Sequence, residues 1–239
     1  MAIVTAIALW PAAAWADDSE IWFRYDLKQR IDENRRWFGS LRYRTDYASG
    51  SVRTEFDKFD IRAGVVWQLS DRSRVEVGGG AYYSSFDALD DVFEVRAWQA
   101  LTLDWPEINV VKRYVVHHRF MFEQRGLNSD GWSLSLRGRY RLAFALPLNR
   151  YSVEPGALYL PMSVEAFAKL GGGEERVFSN RVRYTVGLGY ALNDNWAIEV
   201  RYMHEERRDI AGIDFEASSD IFELRLRSAT RITDILKAR

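Results

Sequence analysis

From Ile21 onward the chain alternates apolar and polar residues with a period of two. Ile21, Phe23, Tyr25 and Leu27 alternate with Trp22, Arg24, Asp26 and Lys28, and Phe59, Ile61, Ala63, Val65 and Trp67 alternate with Asp60, Arg62 and Gly64. Trp132, Leu134, Leu136 and Tyr140 oppose Ser133, Ser135, Arg137, Arg139 and Arg141, while Val182, Tyr184, Val186 and Leu188 oppose Arg181, Arg183 and Thr185. Successive side chains of a strand point to opposite faces, so each such segment has one greasy and one charged face. Eleven segments of this kind can be counted, many of ten residues or more, whereas soluble strands average about five or six residues and a tilted strand crossing lipid needs about nine to eleven. Turn signals separate them at Asp32-Glu33-Asn34, Ser70-Asp71-Arg72, Asn128-Ser129-Asp130-Gly131, Gly171-Gly172-Gly173 and Asn193-Asp194-Asn195. The fold class expected is all-β: a single antiparallel up-and-down transmembrane β-barrel over residues 17–239, following a signal peptide at residues 1–16.

The N-terminal assignment rests on a short apolar run, AIVTAIALWPAAAWA, that ends in Ala14-Trp15-Ala16 and gives way to Asp17-Asp18-Ser19-Glu20. This is the pattern of a secretory signal with an A-x-A cleavage box, although no Lys or Arg precedes the run. Export of a barrel of this length points to the bacterial outer membrane. No apolar stretch is long enough for a transmembrane helix.

Barrel size bears on which face looks inward. About eight strands enclose a space that side chains can fill, whereas eleven or twelve with an apolar interior would need a ligand or plug. A lumen of Arg and Glu needs only water and ion pairs. Cation usage agrees, with 28 Arg against 5 Lys, because a planar guanidinium suits crowded pairing with carboxylates and rings. The aromatics Trp22, Tyr47, Trp67, Tyr83, Trp132, Tyr159, Tyr190 and Trp196 lie near strand ends and are expected to form interfacial girdles. Termini that share the periplasm require an even strand count, so about twelve strands are expected, with ten as the alternative. The shortest links, after Ile31, Leu69 and Leu192, are expected to be the periplasmic turns. The chain ends Leu236-Lys237-Ala238-Arg239 rather than on an aromatic residue.

The order of charged marks resembles an uncharacterised bacterial outer-membrane family, domain of unknown function 2490. The marks are Trp22; Glu94-x-Arg96-x-Trp98-Gln99; His118-Arg119 with Glu123-x-Arg125; Arg137-x-Arg139-Tyr140-Arg141; Glu165-x-Phe167; and Asn180-Arg181 with Gly187-Leu188-x-Tyr190. The resemblance spans roughly residues 20–227. It implies an outer-membrane barrel, carries no established activity and supplies no catalytic residues.

The net charge of −1 argues against nucleic acid as a partner, and the absence of Cys removes disulfides, thiolate metal sites and Cys nucleophiles. His117 and His118 are adjacent and face opposite ways on a strand, and His204-Glu205-Glu206 lacks zinc-protease spacing. Gly78-Gly79-Gly80 lacks the Lys-Ser/Thr of a phosphate loop and fits a close approach within a strand. No cofactor or metal is expected. A Ser–His lipid hydrolase is an alternative, with lumen-facing His117 and either Ser133 or Ser135 on the next strand.

The constellation that stands out is a lumen charge ladder: Arg62, Glu76, Glu94, Arg96, Arg119, Glu123, Arg125, Arg137, Arg139, Arg141, Glu165, Arg181, Arg183, Glu199, Arg201, Glu223, Arg225 and Arg227. Charges on neighbouring strands meet as cross-strand pairs. One reading is a scaffold that fills the lumen and fixes register. The other is a narrow porin for anions, acidic sugars among them, with Arg at the constriction. A soluble carrier is a third class, which would fold without detergent. The expected partners are outer-membrane lipid, the barrel-assembly machinery during biogenesis and small anionic solutes, with the protein a monomer.

Overall fold

The structure, a computed structural model, describes residues 19–48, 51–52, 58–86, 89–105, 115–128, 131–171, 180–208 and 215–231. The signal-peptide assignment at 1–16 and the chain terminus at 236–239 lie outside these residues.

Each alternating segment forms a strand. They are β1 (Ser19–Arg30), β2 (Arg35–Ala48), β4 (Lys58–Ser70), β5 (Ser73–Phe86), β6 (Leu89–Trp105), β7 (Val116–Asn128), β8 (Trp132–Pro147), β9 (Leu158–Gly171), β10 (Asn180–Ala191), β11 (Trp196–Arg208) and β12 (Phe215–Arg231). The two-residue β3 (Ser51–Val52) pairs only with β2. The eleven long strands follow one another around a single sheet, and β1 pairs with both β2 and β12, so the sheet closes into a barrel. Closure leaves no unpaired edge.

The even count expected from the sequence does not hold. With an odd number of alternating strands the first and last run the same way, and β1 accordingly pairs with β12 in parallel, from Ser19↔Asp220 to Arg30↔Arg231. All other barrel pairs are antiparallel. The start of β1 and the end of β12 therefore lie at opposite mouths, here the N-terminal mouth, where β1 begins, and the C-terminal mouth, where β12 finishes. The tight links after β1, β4 and β10 all lie at the C-terminal mouth. Asp32 shapes the first of them: its Oδ1 accepts from the backbone N–H groups of Asn34 (3.0 Å) and Arg35 (2.7 Å). The Arg35 guanidinium donates to its other oxygen and holds this carboxyl below the usual carboxylate range.

The greasy face points outward. Ile61 (50% exposed), Leu134 (68%), Phe120 (47%) and Val200 (51%) stand on the outer wall, whereas Asp60, Glu123, Glu199 and Glu205 are at most 1% exposed inside. This orientation is the reverse of a soluble carrier, whose interior would be apolar. Of the aromatics expected in girdles, Trp67, Trp132, Tyr190 and Trp196 are exposed on the outer wall. Tyr83, which donates to Asp91, is partly exposed. Of Tyr47 only the backbone is described. Trp22 and Tyr159 do not belong to a girdle: both are buried in the lumen. Their strand parity is that of Asp26 and Ser163, and parity outranks nearness to a strand end.

The Gly78-Gly79-Gly80 run lies within β5 and does serve close approach. A Cβ on Gly78 would fall 2.4 Å from the Trp98 ring, and one on Gly80 2.8 Å from the Arg62 side chain. The two glycines let lumen groups lie flat against the wall.

Candidate functional site

The lumen contains the densest chemistry among the described residues. Carboxylates act as hubs, each collecting several guanidiniums from neighbouring strands. Glu123 on β7 accepts from Arg137 Nε (2.5 Å) and Arg139 Nη1 (2.9 Å). Arg139 also donates to Glu165 on β9 (2.6 Å), and Arg183 of β10 lies between Glu165 (3.9 Å) and Glu205 of β11. Glu205 collects Arg181 (3.1 Å) and Arg207 (3.0 Å) as well. The result is one continuous chain of alternating charge across five adjacent strands. Each interior charge in such a chain is compensated by at least one neighbour, which is the condition for keeping it out of bulk water.

Other hubs complete the network. Asp60 receives Arg42 (2.7 Å), Arg62 (3.2 Å) and Arg44 (3.4 Å). Glu94 takes both ends of Arg96 and also binds Arg125. Asp26 joins Arg24 (2.9 Å) to Arg225 across the parallel seam. Glu199 gathers Arg201 (2.5 Å), Arg227 (2.9 Å), Arg225 (3.6 Å) and the Tyr159 hydroxyl (2.8 Å). Glu223 lies 3.9 Å from Arg201, and Glu76 accepts from Arg119 and from the Trp98 indole, both at 2.8 Å.

Buried rings interleave with these charges. Trp22 of β1 packs beneath Arg42 (4.5 Å), Arg44 (5.3 Å) and Arg183 (5.1 Å). Phe167 of β9 lies among Arg139 (4.8 Å), Arg137 (5.3 Å), Arg183 (5.4 Å) and Arg181 (5.8 Å). Arg96 stacks 3.7 Å above Tyr82. A guanidinium over an aromatic face keeps part of its electrostatic stabilisation without water. The Trp22–Arg183 contact joins β1 to β10, so side chains meet well away from the strands that carry them.

All eighteen ladder positions named from the sequence face the lumen, and seventeen have an oppositely charged group within 4 Å. The exception is Arg141, which has no ion pair and whose buried Nε has no hydrogen-bond partner. Sequence reasoning left out Asp26, Asp60 and Glu205, three of the main hubs, and Arg24, Arg42, Arg44 and Arg207 beside them. All lie on the charged parity of their strands, so extending that rule to every strand would have found them. Phe167, Trp98 and Tyr82 share the strand parity of Glu165, Arg96 and Glu76, so the alternation places them on the lumen face as well; what it does not give is which guanidiniums they meet.

At the C-terminal mouth Asp104 accepts from Arg74 (2.7 Å) and lies 2.6 Å from His117 Nδ1. The serines proposed as nucleophile partners are elsewhere. Register pairs His117 with Ala143, Ser135 with Arg125 and Ser133 with Leu127, toward the opposite mouth. His117 has an orienting carboxylate but no Ser–His pair with either. No group of three metal-ligating side chains occurs among the described residues.

No curated protein matches the chain. The profile of a family described as "Protein of unknown function (DUF2490)" matches residues 19–216, from the first residue of β1 into β12. This span holds most of the barrel wall and its lumen network, and the chain belongs to that family.

Proposed function

We propose that the protein is an outer-membrane β-barrel whose lumen is occupied by its own ion-pair and aromatic network, so that it is a closed, lipid-embedded scaffold rather than an open pore. The carrying observation is orientation: large apolar side chains stand exposed around the wall while carboxylates and guanidiniums are buried within. In water an exposed greasy belt of this extent invites association; in lipid it is the expected surface. Trp67, Tyr190 and Trp196, exposed near the ends of their strands at the C-terminal mouth, suit a membrane–water boundary.

The excess of Arg over carboxylate in the lumen favours a second reading, a narrow anion-preferring porin. Arg137 and Arg139, which would line its constriction, are engaged by Glu123 and Glu165, which supports the closed reading. No catalytic role is assigned.

Cell fractionation and planar-bilayer recording test both readings. The closed-barrel reading expects the protein in outer-membrane fractions, folding only with detergent or lipid, faster migration on gels before boiling than after, and no conductance. Folding in plain buffer would overturn the membrane reading. Steady conductance that shifts toward cations in the Arg137→Ala, Arg139→Ala, Arg141→Ala triple variant would replace the closed barrel with the porin.

A further inference from the structure

Arg141 is anomalous in a lumen where every other ladder residue is paired. Register places it between Arg119 of β7 and Glu165 of β9. Glu165 is already committed, one oxygen to Arg139 and the other facing Arg183. The remaining charges around Arg141 are cations, namely Arg119, Arg201 and Arg225. Arg201 also has a buried Nε with no partner. A second uncommitted cation lies nearer the C-terminal mouth: Lys28, on the lumen parity of β1, is exposed, forms no ion pair, and has Arg225 and Arg227 as its main charged neighbours. The carboxylates of this half, Glu76, Asp26, Glu199 and, at the mouth itself, Asp104, are each held by at least one Arg.

A guanidinium removed from bulk water among other guanidiniums is costly unless a counter-charge reaches it. Within the protein the carboxylate facing Arg141 is that of its register partner Glu165, which forms no ion pair with it and is shared with Arg139 and Arg183. A tetrahedral or planar oxyanion would supply the remaining counter-charge, since its oxygens can accept from several N–H groups at once and a guanidinium presents them in a fixed fork. We infer that the C-terminal half of the lumen is a binding site for a soluble phosphate- or carboxylate-type oxyanion, held by Arg141 and Arg201, with Lys28 drawing it in from the C-terminal mouth. The ligand is a solute rather than a lipid headgroup, because these groups face the lumen and not the outer wall. The assignment rests on lumen geometry; the membrane reading adds only to the cost of leaving Arg141 partly uncompensated.

The test is calorimetric titration of the purified, folded, full-length protein with inorganic phosphate, and separately with tripolyphosphate and citrate, at constant ionic strength. Gel migration before and after boiling establishes folding independently, and if the protein folds without detergent the same titration is run in buffer and counts equally. The wild type is expected to show one saturable site for at least one of these anions. Arg141→Gln is expected to weaken it about tenfold or more, the loss of one charge-assisted contact. Lys28→Gln is expected to weaken it less and to slow association more than it speeds release. The same Arg141→Gln protein, measured without anion, should be no less heat-stable than the wild type, since it sheds a charge that the shared Glu165 only partly offsets among Arg119, Arg201 and Arg225. Absence of saturable binding in folded wild type overturns the inference, as does binding by Arg141→Gln equal to wild type. Lower anion-free stability in that variant also counts against it, since Arg141 would then be satisfied from within the protein.

Discussion

Glu123 illustrates how a single residue organises the interior. It is 1% exposed and holds two guanidiniums from β8. Removing one partner of a buried pair leaves its counterpart charged and unsatisfied, a loss of about 3 kcal/mol. Glu123→Gln is therefore expected to lower unfolding free energy by about 3 kcal/mol in a urea titration of the refolded barrel. Adding Arg137→Gln should recover part of that loss, because the double variant no longer buries the orphaned cation; a fully additive loss would mean that the pair is uncoupled. At this scale much was legible beforehand: a lumen-facing Glu flanked by lumen-facing Arg on the next strand is readable from parity. That Arg141 lacks a partner was not, because the choice of which Arg each Glu takes depends on register across three strands.

Among the elements, the seam between β1 and β12 departs furthest from expectation. Parallel pairing is slightly less stable per residue than antiparallel, and the seam joins the strands most distant in sequence. It is nevertheless continuous over the whole of β1, with Tyr25 and Ser228 hydrogen-bonded across it (2.8 Å). Phe23 and Leu224 are register partners there and both are exposed on the outer wall. Cysteines placed by Phe23→Cys and Leu224→Cys should crosslink under mild oxidation or with a short bifunctional maleimide, detected as altered migration of the boiled protein. A pair shifted by one pleat, Phe23→Cys with Leu226→Cys, should crosslink more slowly. Equal yields from both pairs would indicate a seam without fixed register. The eleven alternating segments already contained the odd count; the assumption that both termini share one compartment is what suggested twelve.

For the molecule as a whole, the parallel seam places the start of β1 and the end of β12 at opposite mouths. If the barrel spans a membrane, a tag fused near the start of β1 and one fused after β12 lie on opposite faces. Protease shaving of intact cells should then remove one tag and spare the other until the envelope is permeabilised. Loss of both tags from intact cells, or of neither, would contradict either the odd strand count or the spanning orientation.

Alternation alone determined that the chain is all-β, that its strands are long, and which side chains share a face, since a strand has only two faces and a period of two assigns them locally. It also indicated the outward greasy wall, because a ring of about eleven strands encloses more space than apolar side chains of one face fill. Tertiary structure decided what local pattern could not encode: the parallel closure, the placement of Trp22, Tyr159 and Phe167 among guanidiniums, and the separation of His117 from Ser133 and Ser135. Each depends on how far one strand is displaced along its neighbour. That displacement accumulates around the ring, and only closure of the barrel fixes its total.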